Sequence, residues 1–232
     1  MIKVLAFPAF SNKKSNPYNY LLYSGIKKQG VIVTEFSFKN CLQNNFDILH
    51  IHWPEHYLNS KYFIKALLCS ILLLLCIFIS KMLGKKVVWT VHNLKPHSIQ
   101  YPILNCCYWK LFLPLVDATI SLSKSNQDIF YEKYHMSNNV IRTVVYHGLY
   151  DGYYENNISK DQAKEAVGIS VEQEVCLFVG QIKEYKNIER LVDLFSNHEG
   201  LAQKTLLIAG RFESMDYYKK IMNLSAKKSN II

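Results

Sequence analysis

Short apolar runs alternate with helical segments along almost all of this 232-residue chain, and no single motif restricts the fold as much as that rhythm does. Residues 1–8 read as a strand. Pro17 opens a helical segment that Gly30 closes from a C-cap position. Further strands are expected at 31–38, at 47–53 (ended by Pro54), at 86–91, 118–122 and 140–146. Between them lie a long helix over 61–83 stopped by Gly84, a polar loop over 92–98, a helix over 101–115, and a helix that Ser123 caps and that runs to 135. Strands alternating with helices in this way call for a parallel sheet covered on both faces. The expected fold class is α/β, with one doubly wound domain over 1–148. Residues 149–172 read as a linker holding a short helix in DQAKEAVG. A second series fills 173–232: strand, helix 187–196, strand 205–209, helix 215–227, and the start of another strand at SNII. Two strands and two helices cannot cover both faces of an open sheet, so this second domain is expected to be incomplete and the chain truncated or split.

Half of the residues are hydrophobic, enough for a substantial core. The net charge of +9 comes from scattered lysines without an Arg-rich tract, which argues against nucleic acid and fits phosphorylated substrates or anionic lipid. Six cysteines without a CxxC pair read as reduced thiols. The N-terminus lacks the basic start and long apolar core of a signal peptide. A cytoplasmic protein is expected.

The most apolar stretch, ALLCSILLLLCIFI, is fourteen residues between Lys65 and Lys81, short of the roughly twenty that span a bilayer. Two readings stay open: a core helix packed on the sheet, or an interfacial helix in the headgroup region helped by Lys61, Lys65, Lys81, Lys85 and Lys86. The absence of a polar face favours a membrane or partner contact through 61–83.

In a doubly wound sheet, ligands bind outside the carboxyl ends of the strands. His52, Trp53 and Glu55 end the third strand; Thr90, His92 and Asn93 end the fourth; His147 and Gly148 end the last of the first domain. His50 and His52 point the same way from one strand, and His56 and His92 could join them, so a zinc hydrolase is the less favoured alternative. No HExxH or cysteine partner supports it, and no metal is expected. The first turn, FPAFSNKKSNPY, has no glycine with which to bring backbone close to a pyrophosphate, and no GxxxxGK[ST] occurs. The phosphate site is expected instead in EVCLFVGQIKEYKNIE, residues 174–189, where a strand ends at Gly180, a turn carries Lys183 and Lys186, and a helix follows.

Six segments in order, DILHIHWPE, VVWTVHNLKPH, ATISLS, YHGLYDGYY, LFVGQIKEYKNIERLVDLF and LLIAGRF, resemble the GT-B glycosyltransferases of the family 4-like group that build bacterial exopolysaccharide and capsule. The resemblance implies two Rossmann-like domains facing a cleft, acceptor on the first and nucleotide-sugar donor on the second, with no cofactor. It implies that His92 contacts the donor sugar near the reacting carbon and that Gly180, Lys183 and Lys186, with Arg211 as a further candidate, hold the donor diphosphate. Glu55 is the visible carboxylate for deprotonating an acceptor hydroxyl if the reaction inverts. Asn16, His52, Asn93, His147 and Gly148 would line the acceptor side. The family has Arg after the glycine where this chain has Gln181, and its paired glutamates have no counterpart before Ile232. The implied partners are a UDP- or GDP-sugar and a lipid-linked saccharide, at the inner face of the plasma membrane. A non-catalytic remnant that binds acceptor or a partner is the alternative.

Overall fold

The computed structural model describes residues 1–93, 99–226 and 228–232, and divides into two compact units, Met1–Tyr150 and Asp151–Ile232. Residues 94–98 of the polar loop, and Lys227 at the expected end of the last helix, lie outside the described residues.

The first unit holds a six-stranded, wholly parallel sheet in the order β2-β1-β3-β4-β5-β6. Its strands are β1 (Lys3–Phe7), β2 (Ile32–Glu35), β3 (Ile48–Ile51), β4 (Lys86–Val91), β5 (Ala118–Ser121) and β6 (Ile141–Val144). The helices are α1 (Tyr18–Lys28), α2 (Phe38–Leu42), α3 (Phe63–Met82), α4 (Pro102–Phe112) and α5 (Lys124–Tyr134). The strand order reverses between β1 and β3, and the crevice at such a switch point is where open α/β sheets take their ligands.

The period-2 pattern sorts side chains between the faces. Leu5, Leu49, Ile51, Val87, Trp89 and Val91 face α2 to α5 in the main core, which also takes Phe36, Ile77, Tyr108, Phe112 and Phe130. Val4 and Ala6 point the other way, to a smaller core closed by Tyr23 of α1. Coverage of the two faces is therefore unequal. Four helices line one and α1 the other, and Ile141 of the edge strand β6 is exposed.

One local expectation is corrected. The second strand does not reach residue 38: it ends at Glu35, because the Ser37 hydroxyl accepts from the Asn40 amide and starts α2. Residues 54–59 form a 3-10 turn, Pro54–Asn59, with Pro54 preset in its first position. The glycine-free first turn also has a reason. The Glu35 carboxylate accepts from the amides of Ala9, Phe10 and Ser11 at 3.0, 2.6 and 3.0 Å, filling with a protein carboxylate the anion nest that a glycine-rich turn would offer to phosphate. Ser123 caps α5 as expected, its hydroxyl accepting from the Asn126 amide.

Helix α3 carries features of both of its sequence readings. Ala66, Ser70, Leu73, Cys76, Ile77 and Ser80 are buried toward the sheet. Ile64, Leu68, Ile71, Leu72, Leu75, Phe78, Ile79 and Met82 are exposed. Its two buried serines lie inside, while the outer stripe is apolar except for the exposed Lys65 in the first turn. At 20 residues with mean hydropathy 2.6 it is also long and apolar enough to cross a membrane, a length the sequence reading put lower because Lys65 and Lys81 interrupt it. Lys81 is anchored at the sheet, its ammonium 2.6 Å from Asp117, whose other oxygen accepts from the Val87 amide.

The second unit contains α6 (Lys160–Ala166), opened by a reciprocal capping box of Ser159 and Gln162, then β7 (Val175–Val179), α7 (Ile188–Asn197), β8 (Thr205–Ala209) and α8 (Met215–Ser225). Strands β7 and β8 are parallel neighbours. Ile188, Val192, Phe195, Leu206, Tyr217 and Ile221 form their core. The terminal SNII does extend the sheet, since Ile208 and Ile232 bond Ile232 and Leu206 across a parallel bridge. The other face of β7 leaves Leu177 and Val179 exposed.

Candidate active site

At the switch point the alternation of β3 and β4 places polar side chains where the sheet's smaller core would otherwise be. His50 and His52 project from β3 and its end, Thr90 from β4, and His92 follows β4. Tyr23, fully buried on α1, closes over them. The Tyr23 hydroxyl lies 2.9 Å from His50 Nδ1 and 2.7 Å from His52 Nε2. His50 Nε2 lies 2.8 Å from Thr90 Oγ1, and His52 Nδ1 lies 2.9 Å from His92 Nε2. The result is one unbranched chain: Thr90, His50, Tyr23, His52, His92.

Burial sets the charge state. Desolvation holds His50 down at about 3 and His92 at about 4, and pushes His52 well below the ordinary imidazole value, with the neighbouring histidines adding repulsion. All three rings are neutral at pH 7. Tyr23 is pushed well up, chiefly by burial.

His92 forms the outward end. Trp53 stacks on its ring at 4.4 Å and 19°, and Tyr18 meets it edge-on at 5.1 Å while lying 4.7 Å from His147. A small cavity of about 10 Å³ is bounded by His52, Glu55, His92 and Asn93 with Trp89, Trp109 and Tyr134, room for about one water. Glu55 comes from the first turn of the 3-10 segment after β3, and burial raises its carboxyl above the ordinary range. A carboxyl of raised pKa beside a neutral imidazole can, when ionised, take a proton from a hydroxyl group and, when protonated, hand it on.

The remaining expected residues fall in different places. His52 is buried inside the hydrogen-bonded chain and also borders the small cavity beside His92. Asn16 accepts from the Tyr18 amide and opens α1. His147 is exposed, its Nδ1 2.7 Å from the Gly148 carbonyl, and Gly148 borders a groove of about 280 Å³ with Tyr18, Leu21, Leu22 and Tyr150. Among the described residues no three His, Cys, Asp or Glu side chains converge on a metal position; the nitrogens of His50 and His52 all serve the hydrogen-bonded chain.

In the second unit, Lys183 and Arg211 line one cavity of about 230 Å³ with Gln181, Phe212 and Glu213. Lys183 is paired with Glu213 at 3.0 Å. Lys186 lies apart from them, over the Phe178 ring at 5.7 Å, and a Cβ on Gly180 would come within 3.2 Å of its ammonium. Gly180 has φ 143°, which favours glycine. The turn is not a bare approach to the helix: a 3-10 segment, Glu184–Lys186, and a left-handed Asn187 intervene before α7. Two residues escaped the sequence reading. Tyr23 could have been found as the inward tyrosine one and a half turns after Tyr18. Gly210 matters because a Cβ there would sit 1.7 Å from the Gly180 carbonyl oxygen.

No family model matches the chain. Over 100 residues it is 35% identical to a GDP-mannose:glycolipid 4-beta-D-mannosyltransferase of Xanthomonas campestris pv. campestris, covering 42% of this chain and 28% of that protein. Among solved structures it is similar to HepE of Anabaena, crystallised with UDP-glucose, with a TM-score of 0.64, 14% identity, and coverage of 100% of this chain and 68% of that one. It is similar also to a glycosyltransferase from Rickettsia africae, with a TM-score of 0.56, 13% identity, and coverage of 100% and 67%. A UDP-N-acetylglucosamine 2-epimerase from Rickettsia bellii shares the fold at a TM-score of 0.51 and 9% identity, covering 100% and 68%, so the fold alone does not select the reaction. The chain spans about two thirds of these solved structures, and its match spans less than a third of the curated relative. The α/β architecture and these likenesses show that the chain has the GT-B fold and, over 100 residues, sequence similarity to a glycosyltransferase of that fold.

Proposed function

We propose that the chain carries the acceptor domain and the opening of the donor domain of a glycosyltransferase that moves a sugar from a UDP- or GDP-sugar to a lipid-linked saccharide in cell-surface polysaccharide synthesis. The observation that carries this reading is the meeting of Glu55 and His92 on one cavity at the ends of neighbouring strands. In an inverting transfer the acceptor O–H bond breaks toward the Glu55 carboxylate while the acceptor oxygen bonds the anomeric carbon, and the bond from that carbon to the diphosphate breaks. Burial makes Glu55 a stronger base than an exposed carboxylate. His92, held by Trp53 and His52, positions the sugar. Lys183 and Arg211 offset the charge growing on the departing nucleoside diphosphate. Such a route needs no cofactor. The curated relative's name, a mannosyltransferase acting on a glycolipid, supports this donor and acceptor class.

The outer stripe of α3 supports a location at the inner face of the plasma membrane. Eight apolar side chains from Ile64 to Met82 are exposed, the helix contains no Asp or Glu, Lys65 lies in its first turn, and Lys61 and Lys85 flank it. That combination suits an anionic headgroup layer.

The test is transfer of radiolabelled sugar from UDP- or GDP-sugars to membrane glycolipid extracts, by the chain alone and fused to the donor-domain remainder of a relative. Transfer that falls with Glu55→Gln and His92→Ala supports the reading; absence of transfer in both forms refutes it. The pairing of Lys183 with Glu213 favours one other reading, a binding remnant whose cation is already neutralised. Calorimetry with UDP and GDP separates the two, since tight binding contradicts the remnant.

A further inference from the structure

We infer that the buried Tyr23 hydroxyl is a positioning residue that sets whether His92 meets its ligand with an N–H or with a lone pair at Nδ1. The inference takes from the proposed function only that His92 faces the ligand. Tyr23 has one hydrogen and two imidazole nitrogens within bonding distance, at 2.9 and 2.7 Å, and in a neutral imidazole one nitrogen donates and the other accepts.

When Tyr23 donates to His52 Nε2, His52 carries its hydrogen on Nδ1 and donates to His92 Nε2. His92 is then protonated on Nδ1. His50, facing a tyrosine oxygen that now accepts, also carries its hydrogen on Nδ1 and accepts from Thr90. When Tyr23 donates to His50 Nδ1 instead, every bond reverses. His50 donates from Nε2 to Thr90, His52 donates from Nε2 to Tyr23, and His92 donates from Nε2 to His52, leaving a lone pair on Nδ1. The three rings therefore share one tautomer, all Nδ1–H or all Nε2–H.

Any mixed set leaves either two lone pairs facing each other or a hydrogen without an acceptor, among groups that are nearly all buried. An unmade bond to such a group leaves its desolvation cost unrecovered. The rings escape the constraint only by protonation, which burial suppresses in all three. His92 Nε2 is taken by His52, among the described residues none bonds its Nδ1, and the residue borders the cavity, so the chain's polarity ends there. A site that meets a sugar hydroxyl in one step and a departing oxygen in another can use either polarity, and Tyr23 allows both.

Long-range 1H–15N correlation spectra of the 15N-histidine-labelled chain at pH 7.5 report which ring nitrogen of each histidine carries hydrogen, and they need neither donor nor acceptor. The test thus stands apart from transfer activity. The wild-type chain should show His50, His52 and His92 with like tautomers, or with equal tautomer populations. Tyr23→Phe should uncouple them, with His50 on Nε2–H and both His52 and His92 on Nδ1–H, since the electropositive C–H edge left in place of the hydroxyl meets a lone pair better than it meets an N–H. Thr90→Val, which deletes only the far hydroxyl, should drive all three to Nδ1–H and serves if Tyr23→Phe does not fold. A mixed set in the wild type, or any Nε2–H population remaining in Thr90→Val, overturns the inference.

Discussion

Replacing Leu68, Leu75 and Phe78 together by glutamine should detach the protein from anionic vesicles and leave its fold intact. The three lie in one stripe of α3, and each keeps about half of its surface in solvent, at 54%, 49% and 51%. Full burial of such a side chain is worth about 1.5–3 kcal/mol, so each half still available is worth roughly 1 kcal/mol on entering the acyl boundary. Together they supply about 3 kcal/mol, which is about a hundredfold in partitioning. Lys61 and Lys65 add an attraction of about 1 kcal/mol each near an anionic surface, and salt screens it. Co-sedimentation with vesicles of phosphatidylglycerol and phosphatidylethanolamine, against phosphatidylcholine alone, measures both parts. Glutamine keeps helix propensity, and the inner residues Leu73, Cys76 and Ile77 are untouched, so the thermal unfolding midpoint should hold. Binding of the triple variant within threefold of wild type, with unchanged unfolding, would refute the account. So would wild-type binding that is indifferent to lipid charge and salt.

Other outcomes follow from the same geometry. Glu55→Gln should lower kcat by about 10²–10⁴ and leave KM for the acceptor within severalfold, as removal of a base does, read by initial rates of labelled transfer. Stability to urea should fall as the pH drops below about 6.5, because folded pKa values depressed below the unfolded one make stability present above that pH and lost on the way down; each ring contributes about 1.4 kcal/mol per pH unit until its folded value is reached. For His50 and His92 those values are about 3 and about 4, and an unfolding midpoint flat between pH 7.5 and 5 would contradict their neutral burial. Gly210→Ala should unfold the β7–β8 unit, its methyl group colliding with the Gly180 carbonyl at 1.7 Å, seen as lost amide protection confined to residues after 151. Glu35→Ala frees three backbone amides and should cost about 2–4 kcal/mol, since each bond to a charged group is worth about 1.5–3 kcal/mol less what water restores; chemical denaturation measures it.

The strand–helix rhythm was readable because it rests on local rules. Side chains alternate along β3 and β4, Ser123 supplies a hydroxyl to an orphan amide, and Gly30 and Gly84 take positive φ after α1 and α3. The reach of the strands was less readable: Ser37 stops β2 through a cap three residues ahead, which looks like one more polar position in an alternating run. The apolar helix 61–83 misled in an instructive way, since composition reports how much apolar surface exists and not which side of a helix the sheet covers.

By itself, the sequence determined an α/β chain with a parallel sheet and polar residues at the ends of its third and fourth strands. Strand pattern and turn chemistry act over a few residues, and those residues are adjacent in the text. Only the tertiary structure decided what the histidines do. His50, His52 and His92 come from two strands and Tyr23 from a helix 27 residues before His50, and packing at the strand-order reversal, where burial forbids an unmade hydrogen bond, joined them into one chain. It decided the cations as well. Lys183 and Lys186 are three apart in the sequence, yet one is held by Glu213 beside Arg211 and the other lies over Phe178, because the intervening 3-10 segment turns them apart.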